Sequence, residues 1–281
     1  MAELSEILDF LWRPSRQSGT VKGPPIHRFR PENFHYYQNW GFTICRIYYG
    51  TESDKHWETL LEVLSQPTLL SVGYHENERL WKMDRNCYMG PYKDKAKYVA
   101  SLETFKSLFR LVPREDPLLL KDLDIKGLRD DCQQEHPKAE KRVAGASFCF
   151  VLVADKAVLG GIARQDFVVK ALGYDWEGRI EHGGWGWVRL QTGRLLELWE
   201  ALLLSQLMDT NKYYSLGFEG PERDLETYLW IGDMSMPPLR DCSKAQVADP
   251  LSVSVRPRFR FDHELMIDED AIVLPSKSLC P

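Results

Sequence analysis

Apolar positions in this chain recur in two periods, and the changes between them mark out the elements. Residues 3–12 carry Leu4, Ile7, Leu8 and Leu11 three and four apart, the spacing of one helix face, and Pro14 stops the run. From Gly19 to Asn33 the pattern lapses. Pro24, Pro25 and Pro31, set among glycine and basic residues, predict an extended arm. The period then becomes two. Gly41 to Tyr49 is rich in β-branched and aromatic residues and reads as a strand. Phe42, Ile44, Arg46 and Tyr48 share one of its faces, and Thr43, Cys45, Ile47 and Tyr49 the other. Gly50 ends the strand. Thr51 with Asp54 three residues on predicts a capping box for a helix striped by Trp57, Leu60, Leu61 and Leu64 and closed by Pro67.

Further along, the pattern places a strand near Leu69 to Gly73 and a helix over Leu102 to Leu111. Asp124 is placed to cap a helix carrying Ile125, Leu128 and Cys132 on one side, ended by His136-Pro137. Ser147 to Val153 is a continuous apolar run of strand length, the mark of a strand buried on both faces. Asp155 can cap a short helix to Ala163, and Phe167 to Leu172 reads as another strand. Gly183 to Leu190 reads as a strand with Trp185, Trp187 and Arg189 on one face. Thr192 then opens a helix in which Leu195, Leu198, Trp199, Leu202 and Leu203 recur until it is nearly apolar all round, as in a core helix or an oligomer seam. Val253, Val255, Phe259 and Phe261 alternate with Arg256, Arg258 and Arg260, and Pro257 keeps that segment at a sheet edge.

Strands and helices are interspersed without the strict alternation of a doubly wound sheet. The expected class is α+β: a mixed, mostly antiparallel sheet with helices packed on one face, for which a ferredoxin-like order is one arrangement. Residues 1–33 form the helix and arm, 34–262 a single domain and 263–281 a tail.

Composition narrows the function. The chain has 281 residues, 43% of them hydrophobic, enough for a substantial core. A net charge of -5, spread along the chain, argues against nucleic acid as a partner. No apolar stretch is long enough to span a bilayer, and no basic, apolar leader opens the chain, which predicts no membrane partner and a cytoplasmic protein. The six cysteines are scattered without a C-x-x-C pair, as expected of free thiols in a reducing compartment.

Motif searches leave the cofactor field empty. There is no G-x-G-x-x-G after a strand, no phosphate-binding G-x-x-x-x-G-K-[ST], no G-x-S-x-G and no H-E-x-x-H, so no cofactor is expected. The side chains of Asp262-His263-Glu264 alternate in direction on an extended segment, and no metal site is expected there. Arg46 stands out, because a guanidinium within an apolar, aromatic strand must find a carboxylate, a carbonyl or a ligand. Asp54 and Asp155 are the carboxylates that would serve structurally. The functional alternative has Arg46 and a neighbouring tyrosine hydroxyl, that of Tyr48, hold a substrate carboxylate or polarise its carbonyl. Arg189 repeats the pattern beside Trp185 and Trp187, so two strands are candidates to line one pocket, with Phe42, Tyr49 and Tyr36 as further walls. His35 and His182 are candidates for proton transfer.

The run Trp40-Gly-Phe-Thr-Ile-Cys-Arg-Ile-Tyr-Tyr-Gly50, with Ser53-Asp54 and Trp57, resembles the opening signature of a family of uncharacterised filamentous-fungal proteins. Phe148-Cys-Phe-Val-Leu152 before Asp155, and Trp187-Val-Arg-Leu190, resemble that family's later strands. The resemblance implies a fungal, intracellular protein and carries no assigned activity.

Three functions compete. The first is a cofactor-independent cyclase or isomerase, of pericyclase type such as an intramolecular Diels–Alder catalyst, shaping a hydrophobic fungal secondary metabolite. Arg46, Tyr48, His182 and Arg189 would be its catalytic groups, and Phe42, Tyr49, Trp185, Trp187 and Tyr36 its substrate contacts. The second is a non-catalytic interaction or scaffold protein, with the helix after Thr192 as the seam of a homodimer. The third is a proton-transfer lyase using His35 or His182.

Overall fold

The computed structural model describes residues 4–14, 30–72, 95–139, 148–176, 185–207 and 220–230. They form an α+β fold on one five-stranded mixed sheet, ordered β2-β1-β3-β4-β5. The strands are β1 (Trp40–Arg46), β2 (Phe109–Arg114), β3 (Phe150–Ala154), β4 (Val168–Gly173) and β5 (Trp187–Gln191). β1 runs parallel to both β2 and β3, whereas β3–β4 and β4–β5 are antiparallel. The ferredoxin-like order is narrower than this: five strands are present, and β1 is parallel to both neighbours because long helical crossovers precede β2 and β3.

Seven α-helices accompany the sheet among the described residues: α1 (Leu4–Leu11), α2 (Ser53–Ser71), α3 (Lys95–Ser107), α4 (Pro117–Leu120), α5 (Ile125–Ala139), α6 (Lys156–Ala163) and α7 (Leu195–Leu207). On one face Phe42, Ile44, Leu152, Val169, Val188 and Leu190 pack against α1, α2, α3, α6 and α7. On the other, Cys45, Val151, Val153 and Leu172 pack against Leu120 of α4 and Leu128 and Cys132 of α5. The helices therefore lie mainly, and not solely, on one face. Both faces of β1 and β3 are apolar, and each needs a cover.

Several boundaries differ from the sequence expectation. α2 does not stop at Pro67 but continues through Leu69 and Leu70 to Ser71, so no strand forms there. Its start has no capping box: Glu52 is the cap, in a left-handed conformation and without a side-chain bond. The helix expected over Leu102 to Leu111 ends at Ser107, and Phe109 onward is strand. Pro113 is tolerated because β2 is the edge strand. α5 runs past His136-Pro137 to Ala139. Asp124 and Asp155 behave as expected, accepting from the backbone N–H of Gly127 at 2.7 Å and of Val158 at 2.8 Å.

α1 is part of the core: Leu4, Ile7, Leu8 and Leu11 are buried in the same cluster as Phe42 and Ile44. Trp40 stacks on Phe105 at 4.4 Å between ring centres, and its indole N–H donates to the Phe105 carbonyl at 2.7 Å. That contact clamps α3 to the start of β1. Gly41 is required beside it, since its φ is +125° and a Cβ there would lie 2.1 Å from the Arg110 carbonyl oxygen. α7 spends its apolar stripe inside the chain, with Leu195, Leu198, Trp199, Leu202 and Leu203 all in the main core. The segment Val253 to Phe261 and the Asp262-His263-Glu264 triplet lie outside the described residues.

Candidate functional site

The winding of the chain singles out one edge of the sheet. β1 leaves its carboxyl end toward α2 on one face, and its neighbour β2 leaves toward α4 and α5 on the other. Connections that diverge from adjacent parallel strands open a crevice at their carboxyl ends, the place where open sheets hold ligands. Arg46 closes β1 at that edge, and Glu115 follows β2.

Arg46 is buried, with 5% of its side chain exposed. Its Nε donates to the Tyr48 carbonyl at 3.2 Å and its Nη2 to Ser53 Oγ at 2.8 Å. Nη2 also donates to the Asp54 carboxylate, and Nη1 lies 3.5 Å from Glu115 Oε2. The guanidinium sits 4.6 Å from the Tyr49 ring centre and 5.9 Å from that of Trp57. Ser53 is oriented by donating to the Gly50 carbonyl at 2.6 Å, and Tyr49 Oη donates to the Arg46 carbonyl at 2.9 Å. Burial raises the Tyr49 phenol above its ordinary range, with the nearby Arg46 pulling only partly against it, so the hydroxyl keeps the proton it donates. Gly50 leaves room for Tyr48: a Cβ there would fall 2.0 Å from the Tyr48 hydroxyl.

Two features make this cluster more than a clamp. Asp54, which neutralises Arg46, has 89% of its side chain in solvent, so an incoming ligand oxygen can take its place at the guanidinium without stranding a buried carboxylate. Trp57 is buried, yet its indole N–H has no hydrogen-bond partner. Such orphaned donors are uncommon. The indoles of Trp176, Trp199 and Trp230 share the condition, but Trp57 is the one beside Arg46.

Other expected site residues are placed elsewhere. Cys45 pairs with Val153, Val153 with Lys170 and Lys170 with Arg189, so Arg189 faces the α5 side while Arg46 faces α2. The two arginines are on opposite faces with two strands between them, and line no common pocket. Arg189 donates instead to the Glu226 carbonyl. Trp187 donates to Glu222 Oε1 at 3.0 Å and Trp185 to the Gly220 carbonyl at 2.8 Å, so these groups bind the segment 220–230 to the sheet. Trp199 packs on the opposite face, against Trp40. Phe42 is fully buried in the middle of β1. Tyr36 belongs to a 3-10 helix, Pro31–Tyr36, where it packs on Trp12 at 5.6 Å, and His35 is exposed beside it. His182 lies outside the described residues.

Asp155 is not Arg46's partner. It binds Lys170 Nζ at 2.8 Å, and Glu226 binds the same ammonium at 2.6 Å. Lys170, a buried cation inside an apolar strand, carried the same sequence signal as Arg46. Glu115 had none, because the strand that delivers it reads as helix. No protein-family model, curated protein or solved structure matches the chain. No group of three or more metal-ligating side chains occurs among the described residues, and no described helix is long and apolar enough to cross a membrane.

Proposed function

We propose that this protein is a cofactor-independent cyclase or isomerase that acts on an apolar, carbonyl-bearing small molecule at the carboxyl ends of β1 and β2. The observation that carries the reading is the orphaned Trp57 indole N–H beside a buried guanidinium whose main counter-ion is exposed. A substrate carbonyl oxygen entering there displaces Asp54 from Arg46 and gives Trp57 an acceptor. Arg46 is held in place beforehand by Ser53 and the Tyr48 carbonyl, and a fixed donor beside an oxygen stabilises negative charge that develops on it. Polarising an enone in this way lowers the barrier to intramolecular cycloaddition or to double-bond migration. Tyr48 and Tyr49 supply aromatic surface for the apolar part, and the fungal motif resemblance favours a secondary metabolite as that substrate.

Titration of the full chain with aryl ketones of graded size, followed by tryptophan fluorescence and by native mass spectrometry, tests this. Arg46→Met should weaken the tightest ketone at least about tenfold, the loss of one or two charge-assisted hydrogen bonds, and Trp57→Phe about fivefold or more, the loss of one neutral hydrogen bond. Arg189→Met, on the opposite face, should leave it unchanged. Equal affinity across wild type, R46M and W57F removes the reading.

A further inference from the structure

Behind the Arg46 cluster, on the other face of the same two strands, lies a group of side chains that the proposed chemistry does not use. Side chains alternate along a strand, so as Arg46 and Glu115 turn toward α2, the residues just before them turn toward α5. These are Cys45 on β1 and Arg114 on β2, register partners across the parallel pair. Cys132 of α5 packs into the same cluster as Cys45, and both are buried. Arg114 Nη1 lies 3.9 Å from Cys132 Sγ and 2.8 Å from Asp131 Oδ2, and its Nη2 is 3.7 Å from Glu135 Oε2.

We infer that Cys45 and Cys132 form a site of reversible oxidation, in which hydrogen peroxide converts the two thiols to a disulfide tying β1 to α5, with Arg114 as its positioning residue. The reaction is written from Cys45, the register partner of Arg114, whose thiol is drawn below the ordinary range by its pairing with Cys132 and by Arg114, against the opposing effect of burial; Cys132 is held above the range. Arg114 from β2 and Asp131 and Glu135 from α5 are the charged groups around the pair, and the guanidinium is the one in contact with sulfur. The Cys45 thiolate attacks one peroxide oxygen. An S–O bond forms, the O–O bond breaks, and the leaving hydroxide recovers the Cys45 proton as water. Cys132 sulfur then attacks the sulfenic sulfur: the S–S bond forms, the S–O bond breaks, and the second hydroxide leaves as water with the Cys132 proton. The two thiols lose two electrons, and one peroxide gains them.

Cys149, just before β3, packs at the edge of the same cluster and is the described thiol that would compete for Cys132, so the peptide map distinguishes the two pairings.

The test uses the native full chain. It is treated with hydrogen peroxide, alkylated, and peptide-mapped without reduction. The expected product is a Cys45–Cys132 cross-linked peptide pair, lighter by two hydrogens and reversed by dithiothreitol. Arg114→Met should slow its formation at least about tenfold and Arg114→Lys by no more than about threefold, since charge beside the thiols is what matters. Alkylated Cys45 and Cys132 after peroxide, sulfinic acids without a cross-link, or cross-links confined to other cysteines would each overturn the inference. The mapping on wild type needs no variant to fold. None of these readouts involves Arg46 or its ligand, so the site's failure and the failure of the proposed catalysis are separable.

Discussion

Arg46 meets three parts of the fold at once: its own strand through the Tyr48 carbonyl, the start of α2 through Ser53 and Asp54, and the end of β2 through Glu115. The contacts are unequal in value. The bonds to Ser53 and Tyr48 and the stacking on Tyr49 are sheltered from water, whereas Asp54 reaches Arg46 from solvent. Arg46→Met should therefore cost about 2–3 kcal/mol, leaving sheltered acceptors without their donor. Asp54→Asn should cost less than about 1 kcal/mol, as exposed ion pairs do. Urea unfolding of the two variants checks the ranking, and a larger loss in D54N than in R46M would contradict it. That Arg46 needs a partner is legible in the sequence, because charge inside a run such as Phe42 to Tyr49 is conspicuous. Asp54 was in reach of sequence reasoning because it lies eight residues away. Glu115 was not, being 69 positions distant and delivered by a strand with a helical pattern.

At the scale of elements, Pro67 is the informative residue. A proline inside a helix removes one N–H and crowds the carbonyl four residues back, here that of Val63, and so reads as a stop. α2 passes through it because Leu60, Leu64 and Thr68 are buried along one face, and Thr68 Oγ1 donates to the Leu64 carbonyl at 2.6 Å. Packing outweighs the local penalty. Pro67→Ala should accordingly raise stability by about 1–3 kcal/mol, seen as a higher urea midpoint, with a helical signal equal to or above that of wild type. The boundary between α3 and β2 has the same origin. Phe105, Leu108 and Phe109 suit a helix face or a strand, and stacking of Trp40 on Phe105 with its tilted contact to Phe109 decides where one ends and the other begins.

At the scale of the molecule, the two sheet faces are built differently. One is a broad aromatic and aliphatic core under α1, α2, α3, α6 and α7; the other is smaller and more polar at its rim. There Tyr174 is buried with its hydroxyl 2.8 Å from His136 Nδ1, and Gln133 donates to its carbonyl at 2.6 Å. Burial raises the Tyr174 phenol above its ordinary value of 10. The folded state thus favours the neutral form. Its contribution to stability is complete below pH 10 and is lost as pH rises through 10 toward the folded value, because the unfolded chain releases the proton first. Stability should fall by about 1.4 kcal/mol per pH unit in that window from this residue alone. Tyr174→Phe should flatten the slope between pH 9.5 and 11, about where free tyrosine titrates, in urea titrations run at each pH.

Local chemistry is strong enough to be read without neighbours, and that is the part determined by sequence alone: the α+β class, the strand of Arg46, the caps at Asp124 and Asp155, and the apolar helix after Thr192, whose place in the core and not at an oligomer seam only the packing decided. What the tertiary structure decided is everything that depends on strand order and register. The order β2-β1-β3 brought Glu115 to Arg46. The register from Cys45 to Arg189 separated two arginines that looked equivalent, and the crossover through α5 set Cys132 against Cys45. A side chain's face follows from its position in a strand, but which strand lies beside it is settled by long-range packing, which a linear pattern of apolar and polar residues does not encode.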